Sequence, residues 1–211
     1  MFPSPAVEAA SVTNNSRTTE NSTSALLTRS LEEHQAAIQA LLDSSLDEIE
    51  QTGKLICETL RAGNKILLCG NGGSAADAQH IAAELVGRYE LQRRAFPAIA
   101  LTTDTSALTA LSNDYGYDEV FARQVLALAT AGDLLIAIST SGQSRNIIRA
   151  AEQARASGCK TIGLIGGSGG PLTSACDLAI VVPSTRTSRV QEAHITIGHL
   201  WCEMIDDSLS L

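Results

Sequence analysis

Leu134–Ser144 reads LLIAISTSGQS. Its first five residues are all apolar, and they run directly into a six-residue segment with four hydroxyl side chains and a glycine. The apolar part is short for a helix and lacks the alternation of a half-exposed strand, so it reads as a strand covered on both faces. Asn146–Ala156 follows with helical spacing and stops at Gly158. A buried strand, a polar turn and a helix in that order form the repeating unit of a parallel sheet.

The same unit recurs on both sides. Lys65–Gly70 (KILLCG), Ala98–Thr102 (AIALT), Thr161–Ile165 and Leu178–Val182 read as four more buried strands, the last ended by Pro183. Helical patterns fall at Ser74–Arg88, near Thr105–Leu111, at Glu119–Ala129 and from about Arg189 to Asp207. Right-handed crossovers then give an α/β fold, a doubly wound five-stranded parallel sheet flanked by helices, as one domain over residues 25–211. An N-terminal helical extension precedes it. Leu26, Leu27, Leu31, Ile38, Leu41, Leu42, Ile49, Ile56 and Leu60 keep helical spacing, with a possible break at Thr52-Gly53 and a stop at Gly63. The first part of this extension has no strand to cross over, so its apolar face needs another surface, and a second subunit is a natural one. Residues 1–24 are rich in Ser, Thr and Asn and read as a disordered tail.

Composition narrows the function. The 211 residues are 44% apolar but only 3% aromatic, which suits an aliphatic α/β core. The formal charge is −8 and the only basic doublet is Arg93-Arg94, which argues against direct nucleic-acid binding. No apolar run is long enough to span a bilayer and no signal peptide is visible, so a cytoplasmic protein with no membrane partner is expected. Five cysteines, an odd number without a C-x-x-C pair, fit buried free thiols in a reducing compartment.

Three loops follow strands, where ligands bind in such folds. Ser139-Thr140-Ser141-Gly142-Gln143-Ser144 places four hydroxyls just before a helix. Capping needs one; four, together with free N–H groups at a helix N-terminus, suit a phosphate dianion. Gly70-Asn71-Gly72-Gly73-Ser74 lets backbone N–H groups converge, but it is neither a dinucleotide fingerprint nor a Walker loop, and a plain strand–helix turn explains it equally well. Gly166–Pro171 has more glycine and fewer distinctive groups and reads as structural.

Polar residues interrupt two apolar helices. His80 and Glu84, four apart, share a face and can bind a metal or act as a base beside an imidazole. By spacing alone a surface pair is the simpler reading. The last helix carries Gln191, Glu192, His194 and His199 among apolar residues. Two helices of this kind, each beside an anion loop, favour function over an isolated buried histidine.

Taken together, several motifs resemble one family. Cys69-Gly-Asn-Gly-Gly-Ser74 with Asp77-Ala-x-His80-x-x-x-Glu84-Leu-x-Gly-Arg88-Tyr89, Asn113-Asp114-Tyr-Gly116, Ile138-Ser-Thr-Ser-Gly-x-Ser144 and Arg189-Val-Gln191-Glu192-x-His194 with His199 are similar to the bacterial phosphoheptose isomerases of the SIS superfamily. The resemblance covers residues 30 to about 207 and implies the SIS fold. It implies conversion of sedoheptulose 7-phosphate to D-glycero-D-manno-heptose 7-phosphate through an enediol, the first step of nucleotide-activated heptose biosynthesis. By position, Ser139, Thr140, Ser141 and Ser144 would hold the phosphate. Asn71, Gly72, Gly73, Asn113, Asp114, Glu84 and Gln191 would line the sugar site. One Zn2+ per subunit would be held by His80, Glu84, Gln191 and His199, with Glu84 and His199 as catalytic acid/base groups. The partners implied are a phosphorylated seven-carbon sugar and further copies of the chain, in a homotetramer with sites at subunit interfaces. The alternative is a non-catalytic SIS scaffold that binds a replication initiator protein; such relatives lack the glutamate and the final histidine. A sugar-phosphate-sensing module is a third option, but this chain has no basic DNA-binding region. The Ser184–Ser188 loop matches the family pattern least well.

Overall fold

The structure is a computed structural model; it describes residues 16–209, with side chains from residue 22 onward. The elements run α1 (Ser16–Ser44), α2 (Leu46–Arg61), β1 (Ile66–Cys69), α3 (Gly73–Val86), β2 (Ala98–Ala100) and α4 (Thr105–Tyr115). A 3-10 turn (Tyr117–Glu119) then leads into α5 (Val120–Leu128), β3 (Leu134–Ser139), α6 (Arg145–Ala156), β4 (Lys160–Gly166), α7 (Gly170–Ala175), β5 (Leu178–Val182) and α8 (Thr187–Leu209). The five strands are parallel in the order β2-β1-β3-β4-β5, with Leu68 opposite Ala100 and Ile136, and Ile136 opposite Ile162. Leaving β1, the chain first builds β2 on one side, then crosses to β3 on the other. The direction of winding therefore reverses between β1 and β3, and a crevice opens there at the carboxyl ends of the strands.

The period of two along each strand divides the core. Ile66, Leu68, Leu134, Ile136, Ile138, Ile162, Leu164, Ile180 and Val182 pack with residues of α2, α3 and α8. Leu67, Cys69, Leu135, Ala137 and Ile165 pack with α5, α6 and α7 on the opposite face. Both faces being covered explains why β1 and β3 are buried at every position, whereas β2, expected to be buried, lies at the edge of the sheet and leaves Ile99 exposed.

Three more expectations need correction. The N-terminal helices separate at Ser45, and Thr52-Gly53 lies inside α2. That pair is where α2 docks on α8: Trp201 Nε1 donates to Thr52 Oγ1 at 3.0 Å, and a Cβ at Gly53 would come within 2.3 Å of Met204 Sδ. The glycine permits close helix contact and does not end the helix. Next, α1 begins at Ser16, so part of it falls in the stretch expected to be a tail; residues 1–15 lie outside the described residues. Finally, the glycine-rich loop after β4 opens a short helix, α7, that sequence periodicity did not signal. Gly63, at φ +84°, follows the end of α2 as expected.

α1 lies along α8. His34 Nδ1 meets Glu192 Oε2 at 2.7 Å, Arg186 pairs with Glu33, and Arg189 donates to the Ser30 carbonyl. Leu26, Leu27, Leu31 and Leu42 remain exposed. All five cysteines are free thiols, four of them buried.

Candidate active site

The serine loop leaves β3 beside the crevice. Gly142 turns it at φ +64°, and a Cβ there would lie 1.9 Å from the Gly169 carbonyl oxygen. Leu172 N–H donates to the Gly142 carbonyl at 3.1 Å, so the glycine-rich loop after β4 is the floor on which the serine loop rests. Ser139 is buried; its hydroxyl donates to Ser144 Oγ and accepts from Gly142 N–H, both at 3.2 Å. Ser141 is exposed and its oxygen accepts from Gln143 N–H at 3.2 Å, which leaves its own proton free to donate. Thr140 and Ser144 are half-buried. Ser144 occupies the N-cap of α6, yet its side chain makes no capping bond. The start of α6 thus carries uncapped N–H groups and a positive dipole end beside a row of hydroxyls, an arrangement that suits an anion.

On the other side of the crevice lies the loop after β1. Gly72 caps α3 at φ +55°, and Ser74 N–H donates to the Asn71 carbonyl at 3.0 Å. A Cβ at Gly73 would stand 2.1 Å from Gln191 Nε2, so the glutamine amide of α8 lies directly on this loop. Asn71 bonds to Asn146 in α6 and to the Tyr117 hydroxyl, two residues for which sequence gave no functional reading. Asn113 and Asp114 sit exposed in the last turn of α4, joined by a 2.8 Å hydrogen bond.

Further along α3, His80 Nε2 stands 3.3 Å from Glu84 Oε1 and 3.3 Å from His199 Nε2. The Tyr89 ring stacks on His199 with centroids 5.5 Å apart. Gly198 permits this meeting: a Cβ there would lie 2.8 Å from two carbons of Ile81, so only a glycine lets α8 approach α3 so closely. Neighbouring ligands on a tetrahedral zinc with bonds of about 2.0 Å are separated by about 3.3 Å. The two approaches at His80 therefore have the length of such edges, and imidazole and carboxylate donors suit that metal. Among the described residues, however, no three His, Cys, Asp or Glu side chains form a complete metal-holding group. Gln191 makes no hydrogen bond to the three; its amide is at Gly73, roughly two helical turns before His80.

Two more groups shape this region. Asp77, one turn before His80, has its Oδ2 buried without a hydrogen-bond partner. Burial pushes its carboxyl up to about 6, with His80 pulling the other way. Arg93 fixes the far end of α3. It donates to the Glu84 and Leu85 carbonyls at 2.8 and 3.1 Å and to Asp206 Oδ1 at 2.7 Å. The pair is buried, and Asp206 Oδ2 also accepts the Glu90 and Leu91 N–H groups. Burial alone would raise the Asp206 pKa, but these bonds offset it and hold the carboxyl below the usual range. His194 is different in kind. It is fully buried beneath the sheet side of α8, its nitrogens have no partner of normal geometry, and burial lowers its pKa to about 4. It is neutral near pH 7 and belongs to the core.

The arrangement combines a hydroxyl-rich loop at the carboxyl edge of the sheet with an imidazole, His80, that has a carboxylate on one side and the His199 ring on the other, about two to three turns along α3. A family model described as SIS domain matches residues 30–166. The phosphoheptose isomerase of Aliarcobacter butzleri is 60% identical over 177 residues, covering 84% of this chain and 94% of the relative. The chain belongs to the phosphoheptose isomerases of the SIS domain family. Solved structures of the family agree in fold. Phosphoheptose isomerase GmhA from Neisseria gonorrhoeae superposes with a TM-score of 0.83 at 43% identity, over 88% of this chain and 99% of the other. A phosphoheptose isomerase from Francisella tularensis gives 0.85 at 38% identity, over 88% and 98%. The scaffold alternative finds no support in these relatives.

Proposed function

We infer that this chain isomerises sedoheptulose 7-phosphate to D-glycero-D-manno-heptose 7-phosphate. The observation that carries this is the convergence of His80, Glu84 and His199 on two helices that start from the same sheet edge as the serine loop. The hydroxyls of Ser139, Thr140, Ser141 and Ser144 and the first N–H groups of α6 would hold the phosphate. Asn71, Gly72, Gly73, Asn113 and Asp114 would line the sugar. Glu84 would remove a proton from C1 of the ketose while His199 protonates the carbonyl oxygen at C2, giving an enediol. Return of a proton to C2 and loss of the O1 proton complete the aldehyde, so C1 is oxidised and C2 reduced within one molecule. The Tyr89 ring packs against His199 at this point.

The donor chemistry of His80, Glu84 and His199 supports one zinc ion per subunit; Gln191, the fourth ligand that the resemblance implies, would have to swing its amide away from Gly73 to join them. Such an ion would supply Lewis-acid polarisation of the sugar carbonyl. The exposed leucines of α1 support self-association, which we propose to be the homotetramer with sites at subunit interfaces that the resemblance implies. No helix among the described residues is long and apolar enough to cross a membrane, which accords with a cytoplasmic enzyme.

The test is incubation with sedoheptulose 7-phosphate and NMR detection of the heptose 7-phosphate. Absence of product would overturn the assignment. Chelation is expected to slow turnover without dissociating the assembly, read by light scattering alongside the assay.

A further inference from the structure

Three segments distant in sequence meet at Asn71. Its Nδ2 donates to Asn146 Oδ1 and its Oδ1 accepts from Asn146 Nδ2, both at 2.9 Å. The Tyr117 hydroxyl donates to the same Oδ1, also at 2.9 Å. If both amides were turned over, the pair would close equally well, because a phenol hydroxyl can donate or accept. The set of bonds therefore holds in either orientation. Asn146 is buried, whereas Tyr117 is exposed. The 3-10 turn that carries Tyr117 is tied to α6 by Asp118 with Arg145 at 3.1 Å and by Glu119 with Arg149 at 2.9 Å.

These bonds span the crevice. Asn71 lies two residues before α3, which carries His80 and Glu84, and Asn146 is the second residue of α6, which follows the serine loop. The amide pair thus holds the start of α3 against the start of α6. A sugar phosphate has a bounded length between its phosphate and its reacting carbons. The spacing of anchor and base must match it, and misplacement by about 1 Å can cost about a hundredfold in rate.

We propose that Tyr117 and Asn146 are positioning residues: acting through Asn71, they set the spacing between the anion loop on α6 and the proton-transfer groups on α3. The proposal rests on the isomerase reading above. Tyr117→Phe removes one hydroxyl from an exposed ring and leaves the fold intact. With sedoheptulose 7-phosphate its kcat is expected to fall about tenfold, while KM and inhibition by inorganic phosphate change less than about twofold. Asn146→Ala is expected to lose more, with the same split. The double variant should be little worse than Asn146→Ala, since both act through one side chain. The Asn71 side-chain amide, followed by 15N NMR, should exchange faster with solvent in Tyr117→Phe. Active wild-type protein together with an unchanged kcat in Tyr117→Phe overturns the positioning role and leaves the isomerase reading standing. Wild-type protein without turnover overturns that reading itself. A parallel fall in kcat, phosphate affinity and thermal midpoint marks a merely structural tie and also overturns the proposal.

Discussion

Glu84 shows how one side chain can be read from spacing yet acquire its role only from its surroundings. The i, i+4 relation to His80 is a property of any helix. His199 meets the pair only because Gly198 and Ile81 let two helices touch. Glu84→Gln keeps the size of the side chain and removes the base. Turnover should drop by about 10²- to 10⁴-fold with an unchanged circular dichroism spectrum; a fully active variant would sink the assignment. Ser141 is the simplest of the four hydroxyls to test, because it is exposed and its proton is free. A hydrogen bond to a charged group contributes about 1.5–3 kcal/mol, so Ser141→Ala should weaken phosphosugar binding tenfold or more. Calorimetric titration giving the native affinity would remove Ser141 from the phosphate site.

Among the elements, the serine loop and the glycine-rich loop after β4 act as a pair. Sequence assigned chemistry to the first and only structure to the second. The close approach of Gly142 to the Gly169 carbonyl explains that division. Gly142→Ala would combine a left-handed backbone conformation with a clash against main chain. The expected loss is about 2 kcal/mol or more, measured by urea denaturation. The end of α3 depends on a second device. Arg93→Ala would leave the Asp206 carboxylate buried without its cation, a change that typically costs about 3–5 kcal/mol. Burial raises the Asp206 pKa, but the Leu91 N–H, Arg93 and the Glu90 N–H together hold it below its ordinary value of 3.8 in the folded state, so their stabilisation is fully present above that value. It is lost as pH falls below that value through the folded pKa. The gap in urea midpoint between native protein and Arg93→Ala should therefore be wide at pH 7 and narrow below about pH 4. A gap independent of pH would mean that the ion pair is not its source.

At the scale of the whole molecule, α1 is the part a single chain leaves unfinished. It is fastened along one side by His34 and Glu33, while Leu31 on the other side is 67% exposed. The exposed leucines of α1 are already partly covered, so burying the rest of each contributes about 1 kcal/mol, and several together favour association. Leu31→Glu should shift the assembly toward smaller species by light scattering while helix content is unchanged. Native protein that is monomeric at micromolar concentration would dispose of the tetramer.

The strand–loop–helix alternation, the parallel sheet and the hydroxyl-rich loop between β3 and α6 were all legible in the sequence, because each depends on local periodicity or on neighbours within a few residues. His80 with Glu84 was legible for the same reason. The Asn71, Asn146 and Tyr117 ties, the Arg93–Asp206 pair and the role of Gly53 were not. Each joins residues separated by 46 or more positions, or depends on a contact with a side chain far along the chain. The sequence by itself determined which groups were available for chemistry. Tertiary structure decided which of them meet, because the sheet order places β1 beside β3 and the glycines of α2 and α8 set how closely the helices can approach.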